Sequence, residues 1–161
     1  METSIRENPL GTKPLPALLR SYAIPSVIAM LVSSLYNIVD QIFIGQGVGY
    51  LGNAATNVAY PLTTICLAIA LLIGIGSASR FSLALGAKKE DEAALAVGNA
   101  FVMMVVFGIV YFLLIEIFLN PLLTVFGATA DVMPYAQSYT RITAAGMPFL
   151  IITNGMSNLA R

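Results

Sequence analysis

Four long stretches of this sequence contain no charged side chain. They cover residues 21–39, 41–79, 93–115 and 142–160. Each is long enough for a helix of about 20 residues to cross the hydrocarbon core of a bilayer. Only 10% of the residues are charged and 58% are hydrophobic, whereas a soluble domain usually carries roughly 25% charged residues. The sequence therefore predicts an all-α integral membrane protein in contact with the lipid bilayer.

The charge-free stretches predict four transmembrane helices, at about Pro16–Ile44, Asn57–Leu85, Ala93–Leu119 and Tyr135–Leu159. Residues 16–161 then form a four-helix transmembrane portion, which follows a cytoplasmic N-terminal segment at residues 1–15. Turn-forming residues predict where the helices break. The third connection is expected at residues 120–134. The first connection carries four glycines, Gly45, Gly47, Gly49 and Gly52.

The basic residues are distributed unevenly over these connections. Arg141 lies on one side of the predicted membrane, and the other seven of the eight Lys and Arg residues lie on the opposite side. Because cytoplasmic loops carry an excess of basic residues, we expect a multi-pass protein of the plasma (inner) membrane with both termini of the chain in the cytoplasm.

Several classes of function are excluded by residues that are rare or missing. The chain has no His, one Cys and a net charge of zero. Catalysis or metal binding through imidazole is therefore excluded, as are disulfide frameworks and thiolate zinc sites within the chain. The lack of a basic tract argues against nucleic acid as a partner. We expect neither an enzyme nor a resident cofactor or metal.

Asp40 is the charged residue that fits a membrane helix least well, because it lies inside the first predicted span. An ionised Asp at the membrane centre costs roughly 2.5–3.5 kcal/mol. It ends a polar stripe at helical spacing, with Tyr36 at the margin, made of Ser26, Ser33, Asn37 and Asp40. Such a stripe favours a position facing the protein interior or a cavity, where the carboxylate binds a proton or Na⁺. The alternative is an interfacial Asp solvated by headgroups.

A second polar row follows the fourth predicted helix. Asn154 and Asn158 lie one turn apart on one face, in line with Thr143, Met147 and Leu150. Two roles remain open for the asparagines, interhelical hydrogen bonding and lining of a cavity. Glu116, near the outer end of the third helix, is expected at the membrane interface.

Small residues recur every four positions along the second predicted helix. A ridge of this kind lets another helix backbone approach closely, so these positions are predicted to pack against a neighbouring helix. The positions are Ala70, Gly74, Ala78, Ser82 and Gly86.

Three segments together resemble the MATE family, the multidrug and toxic compound extrusion transporters. The first is Leu35–Gly45, which reads Leu-Tyr-Asn-Ile-Val-Asp-Gln-Ile-Phe-Ile-Gly. The second is the glycine- and serine-rich run Gly74–Arg80, followed by Leu-Gly-Ala at residues 85–87. The third starts with Gly-Met-Pro-Phe at residues 146–149 and continues to Arg161. The resemblance covers the chain from about residue 15 onward.

The resemblance implies a fold with two six-helix lobes around a central cavity, of which this chain matches part of the N-terminal lobe. It implies export of small organic, often cationic, compounds in exchange for H⁺ or Na⁺. It further implies that Asp40, with Asn37, belongs to the cation site. Tyr36, Asn37, Asn154 and Asn158 are expected to line the substrate cavity.

The chain stops after four predicted helices, so we expect an inactive fragment that needs the missing remainder of the transporter. Three alternatives stay open: a lipid-linked-oligosaccharide flippase of related fold, a four-helix membrane subunit that only scaffolds partners, and a small stand-alone transporter that acts as an oligomer. A flippase of this kind tends to carry basic residues in its cavity, and no basic residue lies deep in these spans.

Overall fold

The chain forms helices joined by short turns. The computed structural model describes residues 14–160, and no strand occurs among them, which confirms the predicted all-α class. Most of the predicted N-terminal segment, residues 1–13, lies outside the described residues, as does Arg161. The helices are α1 (Leu15–Gly47), α2 (Tyr50–Gly86), α3 (Glu90–Ile117), α4 (Leu119–Val125) and α5 (Met133–Leu159).

Three of these helices have the length and composition of membrane spans. Within the described part of the chain, α1 from Leu19 onward, α2 and α3 are long and apolar enough to cross a bilayer. The fourth predicted span is present as α5, a helix of 27 residues. This helix is less apolar than the other three, because hydroxyl and amide side chains such as Gln137, Thr140 and Asn154 occur along its length.

Two predicted connections are shorter in the structure than in the sequence-based prediction. In the first connection, only Val48 and Gly49 lie outside the helices. Gly49 has a φ of 81°, and this left-handed backbone, which glycine adopts readily, ends α1 without help from the other three glycines. The third connection was predicted as a loop, and this is wrong for its first half because residues 119–125 form α4. The Gln137 amide on α5 donates to Asn120 Oδ1 of α4 over 2.6 Å.

The chain divides into two compact units, α1 by itself and α2–α5. In the first unit, α1 continues without a break through Pro25. In the second, α2 and α5 run parallel, because the Cys66 thiol reaches the Met147 carbonyl at 3.6 Å and Gly74 meets Gly155, both pairs being 81 residues apart. α3 runs in the opposite direction and packs against both of them.

The α2–α5 contact is a direct approach of two backbones. A Cβ atom added at Gly74 would lie 2.8 Å from the Gly155 carbonyl oxygen and 2.9 Å from its Cα, distances that real Cβ atoms do not adopt. The fully buried Met104 of α3 covers the other side of Gly155. This packing therefore requires glycine at position 74.

The α3 helix is held by one hydrogen bond and one close contact. The Tyr111 hydroxyl donates to the Leu62 carbonyl of α2 over 2.7 Å. A Cβ atom at Gly108 would lie 3.0 Å from the Pro148 Cα of α5. These contacts enclose the buried interior of the unit, whose largest fully buried side chains are Leu62, Met104, Ile115, Leu123, Ile151, Thr140 and Cys66.

The small-residue ridge of α2 enters this packing only over its first half. Ala70 and Gly74 are buried, and Ala78 is partly buried. Ser82 and Gly86 are exposed, and nothing lies within 4 Å of a Cβ atom added at Gly86. The physical reason is that α5 ends at Leu159, about one helical turn beyond the Gly155 contact, so no described turn of α5 lies beside them.

We predict that Gly74→Ala loosens the α2–α5 contact and lowers the stability of the unit by about 1–3 kcal/mol, because the new methyl group meets backbone. The single Cys is buried in the same interface. Its rate of reaction with a maleimide, together with the melting temperature in detergent, measures the effect. Gly76→Ala is the matched control because its Cβ would meet nothing within 4 Å. Equal labelling rates for the two variants would contradict the assigned role of Gly74.

Candidate functional site

The polar stripe of α1 uses its hydrogen-bond donors within the helix. The Ser26 hydroxyl donates to the Tyr22 carbonyl over 2.8 Å, and the Asn37 amide donates to the Ser33 carbonyl over 2.9 Å. Asn37 and Asp40 are three residues apart and share a face, and Tyr36 adjoins Asn37. The oxygen acceptors of this face are the Asn37 Oδ1 atom and the Asp40 carboxylate, and the Ser33 and Tyr36 hydroxyls lie beside them.

The asparagine pair of α5 shows the same local bonding. The Asn154 amide donates to the Leu150 carbonyl over 3.0 Å, and the Asn158 amide donates to the Asn154 carbonyl over 2.9 Å. Among the described residues, neither side chain bonds to another helix, and their Oδ1 atoms remain available as acceptors. Both side chains are half-buried and flank the buried Ile151.

The two groups of candidate residues therefore offer the same chemistry. Tyr36, Asn37 and Asp40 lie within about one turn of α1, and Asn154 and Asn158 lie on adjoining turns of α5. Each group presents carboxylate or amide oxygens, the ligands that suit hard cations such as Na⁺. No basic side chain belongs to either group. The first group is part of the α1 unit and the second is part of the α2–α5 unit.

The sequence interpretation missed one pairing, between the C-terminal part of α3 and the N-terminal part of α5. Arg141 Nε of α5 lies 4.0 Å from Glu116 Oε2 of α3, and the two side chains are 67% and 32% exposed. An exposed pair at this distance contributes little to stability. The signal was present in the sequence, because opposite charges stood at the predicted outer ends of two helices.

Cys66, the one cysteine of the sequence, lies in the helix packing. It is free and fully buried on α2, and its thiol donates a long hydrogen bond to the Met147 carbonyl of α5. The side chain therefore belongs to the helix contact and not to the candidate site.

A comparison with protein families decides which of them these residues represent. The MatE family model matches residues 25–161, which include α2 to α5 and most of α1. The chain belongs to the MatE family. The membership predicted from the three sequence segments is thereby confirmed, and with three apolar helices the chain is part of a multi-pass membrane protein of this family.

Individual relatives are distant but match most of the chain. It is 24% identical over 143 residues to a protein named FAD transporter from Shewanella oneidensis, an alignment covering 89% of this chain and 31% of the relative. It is 24% identical to the multidrug export protein MepA of Staphylococcus haemolyticus and 22% identical to that of Staphylococcus aureus. Both alignments cover 87% of this chain and 31% of the relative.

The chain thus spans about a third of the length of these curated MatE-family relatives. No solved structure matches it. The family assignment therefore rests on sequence, and the positions of the candidate residues come from this structure alone.

We predict that Asn154→Ala and Asn158→Ala each change the unfolding free energy of the chain by less than about 1 kcal/mol, because each lost hydrogen bond goes to a carbonyl of the same helix. Thermal or denaturant unfolding in detergent micelles measures this. The buried Met147 is the comparison on the same helix, since Met147→Ala should cost about 2–5 kcal/mol. A loss of similar size for either Asn would mean that its side chain holds helices together.

Proposed function

We propose that this MatE-family segment works as part of a secondary transporter that exports small organic, often cationic, compounds in exchange for H⁺ or Na⁺. The observation that carries the proposal is the polar face of α1, which ends in Asp40 and offers the Asp40 carboxylate and the Asn37 amide oxygen as acceptors. A span that retains a carboxylate against a cost of roughly 2.5–3.5 kcal/mol needs a cation to offset that cost. Two of the relatives are named multidrug export proteins, which supports the same class of cargo.

Asp40 and Asn37 are the proposed coupling-ion site. An ionised Asp40 attracts Na⁺ or a proton, and binding neutralises the carboxylate, which lowers the cost of keeping it away from water. The empty and occupied forms of α1 then favour different conformations of the transporter. If coupling ion and cargo bind best to opposite conformations, downhill entry of the ion drives export.

Tyr36 and Asn37 of α1, and Asn154 and Asn158 of α5, are each proposed to contact the cargo in the cavity of the full-length transporter. Amide oxygens and an aromatic ring bind organic cations, the ring through the negative charge of its face. Because the relatives are about three times as long as the aligned segment, we propose that the remaining helices of the transporter complete this cavity. The 161-residue chain alone is then inactive. We further propose an inner-membrane location with both termini of the chain cytoplasmic.

A second candidate cargo is a dinucleotide, because one relative bears the name FAD transporter. Such a cargo is anionic and calls for Arg or Lys in its binding site. The candidate residues on α1 and α5 include no basic side chain, so the organic-cation class fits them better. Two assays separate the cargoes in cells that lack their own exporters and produce the full-length protein. Flavin export is measured by fluorescence of the medium, and export of an organic cation by its loss from the cells.

We predict that Asp40→Asn in the full-length protein abolishes ion-driven export, because the amide keeps the shape of the carboxylate but loses its charge. Efflux of ethidium from energised cells that lack their own exporters measures this. Everted vesicles given a pH step or a Na⁺ step identify the coupling ion. The control is Glu116→Gln, which removes the same charge from a residue at the outer end of α3 and should leave efflux unchanged. Wild-type efflux by Asp40→Asn would refute the proposal.

A further inference from the structure

We propose that a groove between α2 and α3 binds one molecule of an ethanolamine phospholipid. One end of the groove, with a volume of about 280 Å³, is lined by Ser77, Arg80 and Glu92 among others. The other end, with a volume of about 310 Å³, is apolar and is lined by side chains that include Leu72 and Phe107. Gly76, Ser77 and Met103 line both volumes, so the two form one continuous groove. It lies within the α2–α5 unit and includes none of the proposed cargo or ion residues.

The polar end carries one positive and one negative group that can both accept a further partner. Within the described residues, the ion pairs are Lys89–Glu92 and Glu116–Arg141, so no carboxylate lies within ion-pair distance of the Arg80 guanidinium, although its charge acts on Glu92 across the groove. The Glu92 Oε1 atom pairs with Lys89 Nζ at 2.8 Å. The Glu92 Oε2 atom takes no part in this ion pair. A zwitterionic headgroup matches this pair, since its phosphate accepts from the guanidinium while its ammonium donates to the carboxylate.

The dimensions of the groove match one leaflet of a bilayer. From Ile69 in the apolar end to Arg80 in the polar end, α2 rises about 16 Å at 1.5 Å per residue. The hydrocarbon region of one leaflet is about 15 Å thick, half of the bilayer core. A lipid whose headgroup lies at Arg80 therefore has an acyl chain of the right length to reach Phe107. The groove is polar at one end and apolar at the other, as a phospholipid is from its headgroup to its acyl chains.

The ethanolamine headgroup fits better than the other common ones. Its ammonium carries N–H donors for Glu92, whereas a choline headgroup has none and a glycerol headgroup has no cation. The groove should therefore prefer phosphatidylethanolamine over phosphatidylcholine and phosphatidylglycerol.

Single tryptophans test this in the chain as it exists, because the sequence contains no Trp. The Phe107→Trp chain, in vesicles of phosphatidylcholine, receives increasing amounts of lipids brominated on the acyl chain. We expect brominated phosphatidylethanolamine to reach half-maximal quenching at an about three- to tenfold lower mole fraction than the other two lipids, the gain of one charge-assisted hydrogen bond. Val106→Trp is the matched control at the same depth. It lies outside the groove lining, so the three lipids should quench it equally.

Two charge variants test which group recognises which part of the headgroup. In the Phe107→Trp chain, Glu92→Gln should remove the preference for ethanolamine. Arg80→Gln should raise the mole fraction needed for all three lipids without changing quenching at Val106→Trp. Lys88→Asn is the control, because it removes a charge at the same end of the helices and Asn accepts the positive φ of 58° at this position. An unreactive Cys66 thiol shows that each variant keeps its helix packing.

The proposal is overturned by equal quenching of Phe107→Trp by all three lipids, or by a preference that survives Glu92→Gln in a chain whose packing is intact. It is also overturned if Phe107→Trp is shielded from every brominated lipid while Val106→Trp is quenched. That result would mean that a protein segment or a second copy of the chain covers the groove.

Discussion

The approach of Gly74 to Gly155 sets the distance between α2 and α5, and the rest of the α2–α5 unit depends on it. Lipid tails are as apolar as Leu or Ile, so burial of apolar surface gives little preference for one helix neighbour over another in a membrane. Close backbone packing provides that preference instead. With the two backbones in contact, the Cys66 thiol reaches the Met147 carbonyl, and Met104 fills the space beside Gly155.

A second regularity links this packing to the proposed chemistry. Hydroxyl and amide side chains on α1, α2 and α5 donate back to carbonyl groups of their own helix, as Ser26, Thr64 and Asn154 do. These bonds need no partner helix, and they leave the oxygen atoms of the amides on the helix surface as acceptors. Such faces, with the Asp40 carboxylate on α1, fit the cation binding proposed above.

The sequence predicted the helical class, the approximate place of the long helices and the family, because charge-free stretches and local motifs are visible in a linear chain. It did not predict that α1 and α2 are separated by only two residues, since four glycines in eight positions resemble a longer break. It did not show how far the small-residue ridge packs, because Ser82 and Gly86 have the right spacing but no described neighbour. The groove at Arg80 and Glu92 also required coordinates, since its two walls come from different helices. Of the candidate site, residue types and helix faces were predictable, and the local bonding of each amide was not.

The parallel alignment of α2 and α5 has a consequence for biosynthesis. Contacts 81 residues apart cannot form until the ribosome has completed α3, α4 and nearly all of α5. During that interval the glycine face of α2 is in the membrane without α5, and α3 is available to cover the adjoining surface. The order of insertion thus makes α5 the helix that closes this contact, so a ribosome that stalls before residue 155 leaves α2 accessible to any membrane chaperone that binds unassembled helices.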